Sequence, residues 1–282
     1  MTTKAAIFMN PNSGSLSWEK KLKRAEKATR RLRMGNIFEG NEWINIEIFK
    51  EPTKSREEFQ EQLREESKGF KYVIIGSGDG GFGDGLNNVD ENCILGYIPL
   101  GSGNNTQTAF LLHKLSGGAR VVNSDVIIDE SDGNKSFFIG AGLDGYMMNE
   151  SDKYRNKGWK GFTRYLPSVW NTFWNFKMRN IEINVDGVGF EEKSSNMIYI
   201  GKHPIAAKWL PLLPGARLDD GRLYCSVLNE WGCPFLRLKG ESIESKFSSP
   251  LYVERDGEVI GLRDYFKVHI EKGARKILTA RL

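Results

Sequence analysis

Six of the ten residues from position 76 to position 85 are glycine, in the run Gly76-Ser77-Gly78-Asp79-Gly80-Gly81-Phe82-Gly83-Asp84-Gly85. The run follows a short apolar stretch, residues 72–75, that reads as a strand. A strand-to-helix turn needs one or two glycines. A larger number implies that a ligand approaches the backbone, whose N–H groups can hold phosphate oxygens together with the positive end of the next helix. Asp79 would repel a bare phosphate. It therefore implies a cation or a proton: a magnesium ion bridging phosphates, or the proton of a hydroxyl group. Capping of the following helix is the alternative.

Around this run, short apolar segments alternate with segments of helical period. Strands are predicted at 5–9, 44–49, 72–75 and 94–99, and helices at 19–34 and 56–66. This β-α-β-α-β-(α)-β order gives a doubly wound parallel sheet, in which ligands sit beyond the carboxyl ends of the strands. Two more strands end in loops of the same chemistry. One is Asn10-Pro11-Asn12-Ser13-Gly14; the other is Pro99-Leu100-Gly101-Ser102-Gly103-Asn104-Asn105-Thr106. Three such loops on one sheet edge point to a nucleotide site. None matches GxxxxGK[ST] or GxGxxG, so neither a standard P-loop nor a Rossmann dinucleotide fingerprint is present.

From about residue 125 the pattern becomes β-rich, with strands predicted at 137–140, 181–186, 196–200, 223–228, 251–255 and 265–270. With 282 residues, two domains are expected. The first is residues 1–125, α/β and rejoined by 272–282; the second is residues 126–271, mainly antiparallel. A helix is predicted over 159–176, with Trp159, Phe162, Tyr165, Leu166, Val169, Trp170, Phe173 and Trp174 at helical spacing. This stripe is expected to pack on the β-domain, with lipid contact as the alternative. The basic helix 19–34 reads as a solvated face over Leu22, Ala25, Ala28 or Thr29, and Leu32, with docking to anionic lipid as the alternative. The turns Asp219-Asp220-Gly221 and Asp256-Gly257 read as hairpin connections.

A formal net charge of +4, with 39% apolar and 27% charged residues, describes a folded chain without the basic bias of a nucleic-acid binder. Cys93, Cys225 and Cys233 form no CxxC pair and are odd in number, so neither a disulfide framework nor a zinc site is indicated, which suits a reducing cytoplasm. No run of about 18 apolar residues occurs, so membrane contact is expected to be peripheral. His113, His203 and His269 have no ligand spacing; His203 is the one to watch.

Taken in order, residues 10–14, Ser77-Gly78-Asp79-Gly80-Gly81, 99–104, Asp219-Asp220-Gly221 and Asp256-Gly257-Glu258 resemble the diacylglycerol kinase catalytic-domain family, which includes sphingosine and ceramide kinases. Residues 137–144, Phe-Phe-Ile-Gly-Ala-Gly-Leu-Asp, resemble the segment that opens its second domain. The resemblance implies an NAD kinase-like α/β domain, a β-sandwich domain, ATP held between them, and a lipid hydroxyl as acceptor. It implies nucleotide contacts from Asn10, Pro11, Asn12, Ser13, Gly14, Ser77, Gly78, Asp79, Gly80, Gly81, Phe82, Gly83, Ser102, Gly103 and Asn104, with Thr53 after the second strand. Glu258 would accept the proton, and Asp79 would organise magnesium and phosphates. A structural magnesium would be held by Asp220 and the main-chain oxygens of Arg217 and Arg222. The implied partners are a lipid substrate and a membrane surface, with a homodimer allowed.

The chain departs from the family's GGDGT at Gly81, from GTGND at Ser102 and Asn105, and from its customary Asn-Glu at Gly83-Asp84. A non-catalytic nucleotide- or lipid-binding member is thus the alternative. An NAD kinase shares the Gly-Asp-Gly loop, but residues 10–14 and the late Asp-Gly-Glu turn speak against it.

Overall fold

The computed structural model describes residues 3–34, 44–101, 103–115, 121–159, 163, 165–205, 210–229 and 234–279. Two compact units are present, Met1–Ser124 with Gly273–Leu282, and Asp125–Lys272.

The first unit runs β1 (Thr3–Met9), α1 (Trp18–Met34), β2 (Ile44–Ile48), α2 (Arg56–Glu66), β3 (Tyr72–Ser77), α3 (Asp79–Asn88), β4 (Ile94–Pro99) and α4 (Asn105–Leu115), after which β5 (Val121–Asp129) begins. The strands lie in the order β2-β1-β3-β4, all parallel. The chain's last strand closes this sheet, with Lys276 opposite Ile94 and Ile277 opposite Leu95. Continuous apolar runs form β1, β3 and β4 because both faces are covered, whereas the edge strand β2 alternates apolar with polar residues. Ala5, Ile7 and Met9 pack with Ala25, Ala28 and Leu32 of α1, while the alternate residues Ala6 and Phe8 are equally buried.

The dense glycine run is mostly helix rather than loop. β3 continues through Ser77 and α3 starts at Asp79, leaving only Gly78 between them. The glycines inside α3 let the helix lie directly on its own strand. A Cβ on Gly85 would stand 3.0 Å from Ile75, and one on Gly81 2.7 Å from the Ser77 Cβ. Each glycine inside a helix costs about 1 kcal/mol, so the close approach has to offset that loss. Phe82 is correspondingly a core residue. It is fully buried, edge-on to Tyr97 at 5.2 Å and Phe110 at 5.6 Å, which corrects the expectation that it touches nucleotide.

The second unit adds β6 (Lys135–Ser136), β7 (Phe138–Gly142), α5 (Leu143–Asn156), α6 (Tyr165–Asn175), β8 (Arg179–Val185), β9 (Val188–Ser195), β10 (Met197–Gly201), β11 (Leu223–Leu228), β12 (Pro234–Gly240), β13 (Ser242–Arg255) and β14 (Glu258–Leu278). Its strands are antiparallel, in the order β12-β11-β10-β7-β13-β14. β13 serves two partners. Its first half pairs with β8 and its last residues with β7, with an irregularity between Lys246 and Leu251 bending it. Both arms close on one core that includes Ile139, Ile183, Ile198, Val227, Val253 and Phe266.

Helix α5 gives no clear apolar period in sequence and is held by contact instead. A Cβ on Gly145 would fall 2.1 Å from the Tyr252 carbonyl, so helix and strand backbones touch. Tyr146 packs edge-on against Tyr252 and Phe176. Helix α6 corrects a further expectation. Leu166, Val169, Trp170 and Trp174 are exposed, and Ser168 and Thr172 form the buried side. Among the described residues no helix is long and apolar enough to cross a membrane.

Asp84 joins two helices. Its nearly buried carboxylate takes a two-pronged contact from Arg56, at 3.0 Å from Nε and 2.7 Å from Nη2, and a third bond from Gln60 at 2.7 Å. Replacing it removes the acceptor that these donors of α2 share. Asp84→Ala is expected to destabilise the protein by about 2–3 kcal/mol, measured by urea denaturation, and Asp84→Asn to recover part of that loss.

Candidate nucleotide site

The site is built where β1, β3 and β4 end, and their adjacency in the sheet brings the three following loops together. The first loop is fixed from below. Asn10 N–H donates to the Gly76 carbonyl at 2.8 Å, and the Asn10 side chain accepts from Asn12 N–H at 2.9 Å. Lys21 then reaches up from α1. Its ammonium donates to the main-chain oxygens of Asn10 and Pro11. Lys21 is 1% exposed, and burial lowers its pKa to about 8. In sequence it is one of many basic residues on a helix taken as solvated.

Glycine at the loop contacts is set by contact between loops. Gly14 has φ +66°, a conformation that favours glycine, and a Cβ there would fall 1.9 Å from the Leu100 carbonyl oxygen. A Cβ on Gly101 would meet the Gly78 Cα at 2.6 Å, and one on Gly78 would meet the Ser13 Oγ at 3.3 Å. The loops interlock backbone to backbone.

Asp79 ties this assembly to α4. Its two carboxylate oxygens accept the N–H groups of Asn105, at 3.1 Å, and Thr106, at 2.9 Å. The helix it caps is therefore α4, across the loop, rather than α3, in which it lies. Asn104, at φ 54°, turns its side chain inward, donating to the Gly101 carbonyl and accepting from Tyr97. Ser102 lies outside the described residues.

Two features of this edge suit a phosphate group. The N-cap of α3 is Gly78, which makes no side-chain capping bond, so the N–H groups of the first turn of α3 have no cap from that position. Thr53, in the loop that follows β2, is 9% exposed, and its Oγ1 is buried without a partner among the described residues. Such an atom is stabilised by any donor or acceptor brought to it. Of the two helix N-termini here, Asp79 caps that of α4, and that of α3 has no side-chain cap from its N-cap residue among the described residues.

In the second unit, Asp256-Gly257 is the two-residue turn of the β13–β14 hairpin, with φ values of 49° and 82°. Asp256 is buried and holds the hairpin to the neighbouring strand, its Oδ1 accepting the N–H groups of Phe137 and Phe138 at 3.0 and 3.1 Å. Glu258 opens β14 opposite Arg255 and is half-buried. Beside the turn lie two carboxyl groups not singled out as site residues, Asp144 and the fully buried Glu254. Burial raises the pKa of both, and the charge of Asp144 raises that of Glu254 further. His203 is buried with its ring edge-on to Phe138 and its Nδ1 2.8 Å from the Ile205 carbonyl.

The expected magnesium ligands converge on an ammonium group. Lys202, fully buried, donates to Asp220 at 2.8 Å and to the Arg222 carbonyl at 2.6 Å, and lies 3.0 Å from Asp125. The second Asp220 oxygen is met by Lys239 and Tyr224, and the Arg217 side chain pairs with Asp219. A divalent ion placed against Asp220 would face two ammonium charges at contact distance. The set therefore does not fit the metal, and Lys202 fills the role of the structural cation. Among the described residues no cluster of three or more His, Cys, Asp or Glu could hold a metal ion. Magnesium or EDTA is expected to move the melting temperature of nucleotide-free protein by less than about 1 °C. Lys202→Met, which leaves Asp125 and Asp220 facing each other, should lower stability by about 3 kcal/mol.

Residues 4–128 match the family model of the diacylglycerol kinase catalytic domain. No curated protein matches the chain in sequence at the significance required of a match. Among solved structures, the chain is similar to a candidate diacylglycerol kinase from Bacillus anthracis strain Sterne, with a TM-score of 0.70 and 19% identity over 98% of this chain and 97% of that one. It is similar also to a diacylglycerol kinase structure from the same strain, with a TM-score of 0.68 and 17% identity over 98% and 96% of the two chains. At these identities the likeness speaks for the fold, a parallel α/β core joined to antiparallel strands. In sequence, the segment 4–128 is similar to the diacylglycerol kinase catalytic domain.

Proposed function

We propose that this protein is an ATP-dependent lipid kinase that transfers the γ-phosphate to a hydroxyl of diacylglycerol or a related sphingoid or ceramide-like lipid. The observation that carries the reading is the N-terminus of α3, without a side-chain cap from Gly78 and set where three interlocked loops meet at the carboxyl edge of the sheet. Its N–H groups and dipole would hold phosphate oxygens, with Ser13 and Asn10 on the first loop and the unpartnered Thr53 hydroxyl as further polar contacts. Magnesium carried by the nucleotide would neutralise phosphate charge. In this reading Asp79 keeps the third loop and α4 in register with the phosphates, and Glu258 accepts the proton of the lipid hydroxyl.

Purified protein with labelled Mg-ATP and mixed micelles of diacylglycerol, ceramide, sphingoid base or monoacylglycerol should label at least one lipid. Glu258→Gln and Asp79→Asn should each lower turnover by about 10²-fold or more, with Glu258→Gln leaving the melting temperature in place. Absence of label on every lipid, with nucleotide still bound, would convert the assignment to the binding-protein alternative.

That alternative rests on Asn105, where the family has aspartate, and on Gly81, where it has threonine. The geometry supplies a reason for the exchange that leaves the site intact. Ser77 stands where the family has glycine, and its Oγ lies 3.1 Å from the position a Gly81 Cβ would take. Side chains at 77 and 81 thus compete for one space, and this chain places its hydroxyl on 77. Gly81→Thr alone is expected to destabilise by about 2 kcal/mol and to lose activity, while the double variant Ser77→Gly/Gly81→Thr recovers both. A single variant as stable as wild type in thermal denaturation would refute the coupling.

A further inference from the structure

Helix α6 is arranged the wrong way round for a helix that faces water. Among its described side chains, the buried ones are small hydroxyl residues, Ser168 fully and Thr172 nearly so, against α5, where Ser151 is also fully buried. Asn171 adds a polar tie, its Nδ2 donating to Glu150 at 2.8 Å. The outward side carries Leu166, Val169, Trp170 and Trp174, at 61%, 50%, 69% and 67% exposure. Spacings of three and four residues put these four on one stripe, and the two indoles lie edge-on 5.9 Å apart. Scattered exposed apolar residues need no explanation, whereas a contiguous aromatic stripe with a polar underside marks a surface that meets an apolar partner.

Charge identifies the partner. α6 contains no ionisable acid or base apart from the tyrosine hydroxyl, and its neighbours in the chain are strongly one-sided. From Lys153 to Ile181 there are seven basic residues and no acidic one. An uncharged helix with two outward tryptophans, set within an all-basic segment, has the composition of an element that lies in the headgroup layer of an anionic bilayer. A water-soluble protein partner would require no such one-sided charge. The basic helix α1 is the weaker candidate, because Ala25, Ala28 and Leu32 face the core, Lys21 is spent on the first loop, and its outward face carries no large apolar residue.

We propose that the outward face of α6, through Leu166, Val169, Trp170 and Trp174, docks the protein on an anionic lipid bilayer. This deepens the lipid-kinase reading by naming how the enzyme meets a substrate that resides in a membrane. The docking itself needs neither ATP nor turnover, so the two can fail separately.

The test uses full-length protein without nucleotide and vesicles of phosphatidylcholine with or without phosphatidylglycerol. Wild-type protein should sediment with the anionic vesicles and be released by salt, and bromine-labelled acyl chains should quench its tryptophan fluorescence. Trp170→Ser/Trp174→Ser should weaken binding by about tenfold or more and remove that quenching, with circular dichroism and melting temperature unchanged because neither side chain is buried. Wild-type protein that ignores anionic vesicles, or a double variant that binds as well as wild type, overturns the proposal. Sedimentation of wild type as a dimer that the double variant cannot form, without vesicle binding, assigns the face to a second copy instead and overturns it equally. Vesicle binding without any lipid phosphorylation would leave the docking in place and reject the kinase reading.

Discussion

The carboxylate of Asp79 spans the gap between two helices. It belongs to the first turn of α3, yet both oxygens are committed to the first N–H groups of α4. That one interaction fixes the loop between β4 and α4 against the loop after β3, at a separation so small that only glycine fits at the contact points. Interlocked backbones, rather than long side chains, therefore give the site its shape. The rigidity is of the kind that positions phosphate groups, because a backbone N–H has no rotamer to lose.

Buried ammonium groups recur as fasteners. Lys21 gathers the carbonyls of the first loop, and Lys202 gathers Asp125, Asp220 and the Arg222 carbonyl. A buried lysine is tolerated only where acceptors surround it; Lys21 ties α1 to the loop just before it, and Lys202 gathers segments distant in sequence. Asp84 does the equivalent with opposite sign, drawing Arg56 and Gln60 of α2 onto α3.

The elements that were legible in the sequence are those whose burial imposes a pattern. The apolar runs of β1, β3 and β4 and the period of α2 stand out because strands covered on both faces, and helices with one buried stripe, leave no choice of residue type. α5 was not legible. It is held by backbone contact at Gly145 and by aromatic edges, which leave no stripe. The stripe of α6 was legible as a helix and misleading as to direction, since period alone does not say whether an apolar face points to a core or away from it.

For the site, the sequence by itself determined which residues stand at the ends of three neighbouring strands and that glycine is required there. It also carried the family's ordered motifs. Only the tertiary structure decided what the glycines are for. Gly14, Gly78 and Gly101 permit loop-to-loop contact, Gly81 and Gly85 permit helix-to-strand contact, and Phe82 turns into the core because α3 starts three residues before it. The fate of Asp220 was likewise beyond the sequence. Its partner Lys202 lies 18 residues away, and a lysine at a strand end carries no local mark of burial. Hydrogen bonds and charge pairs formed across the fold leave no periodic trace along the chain, whereas burial of whole strands and helix faces does.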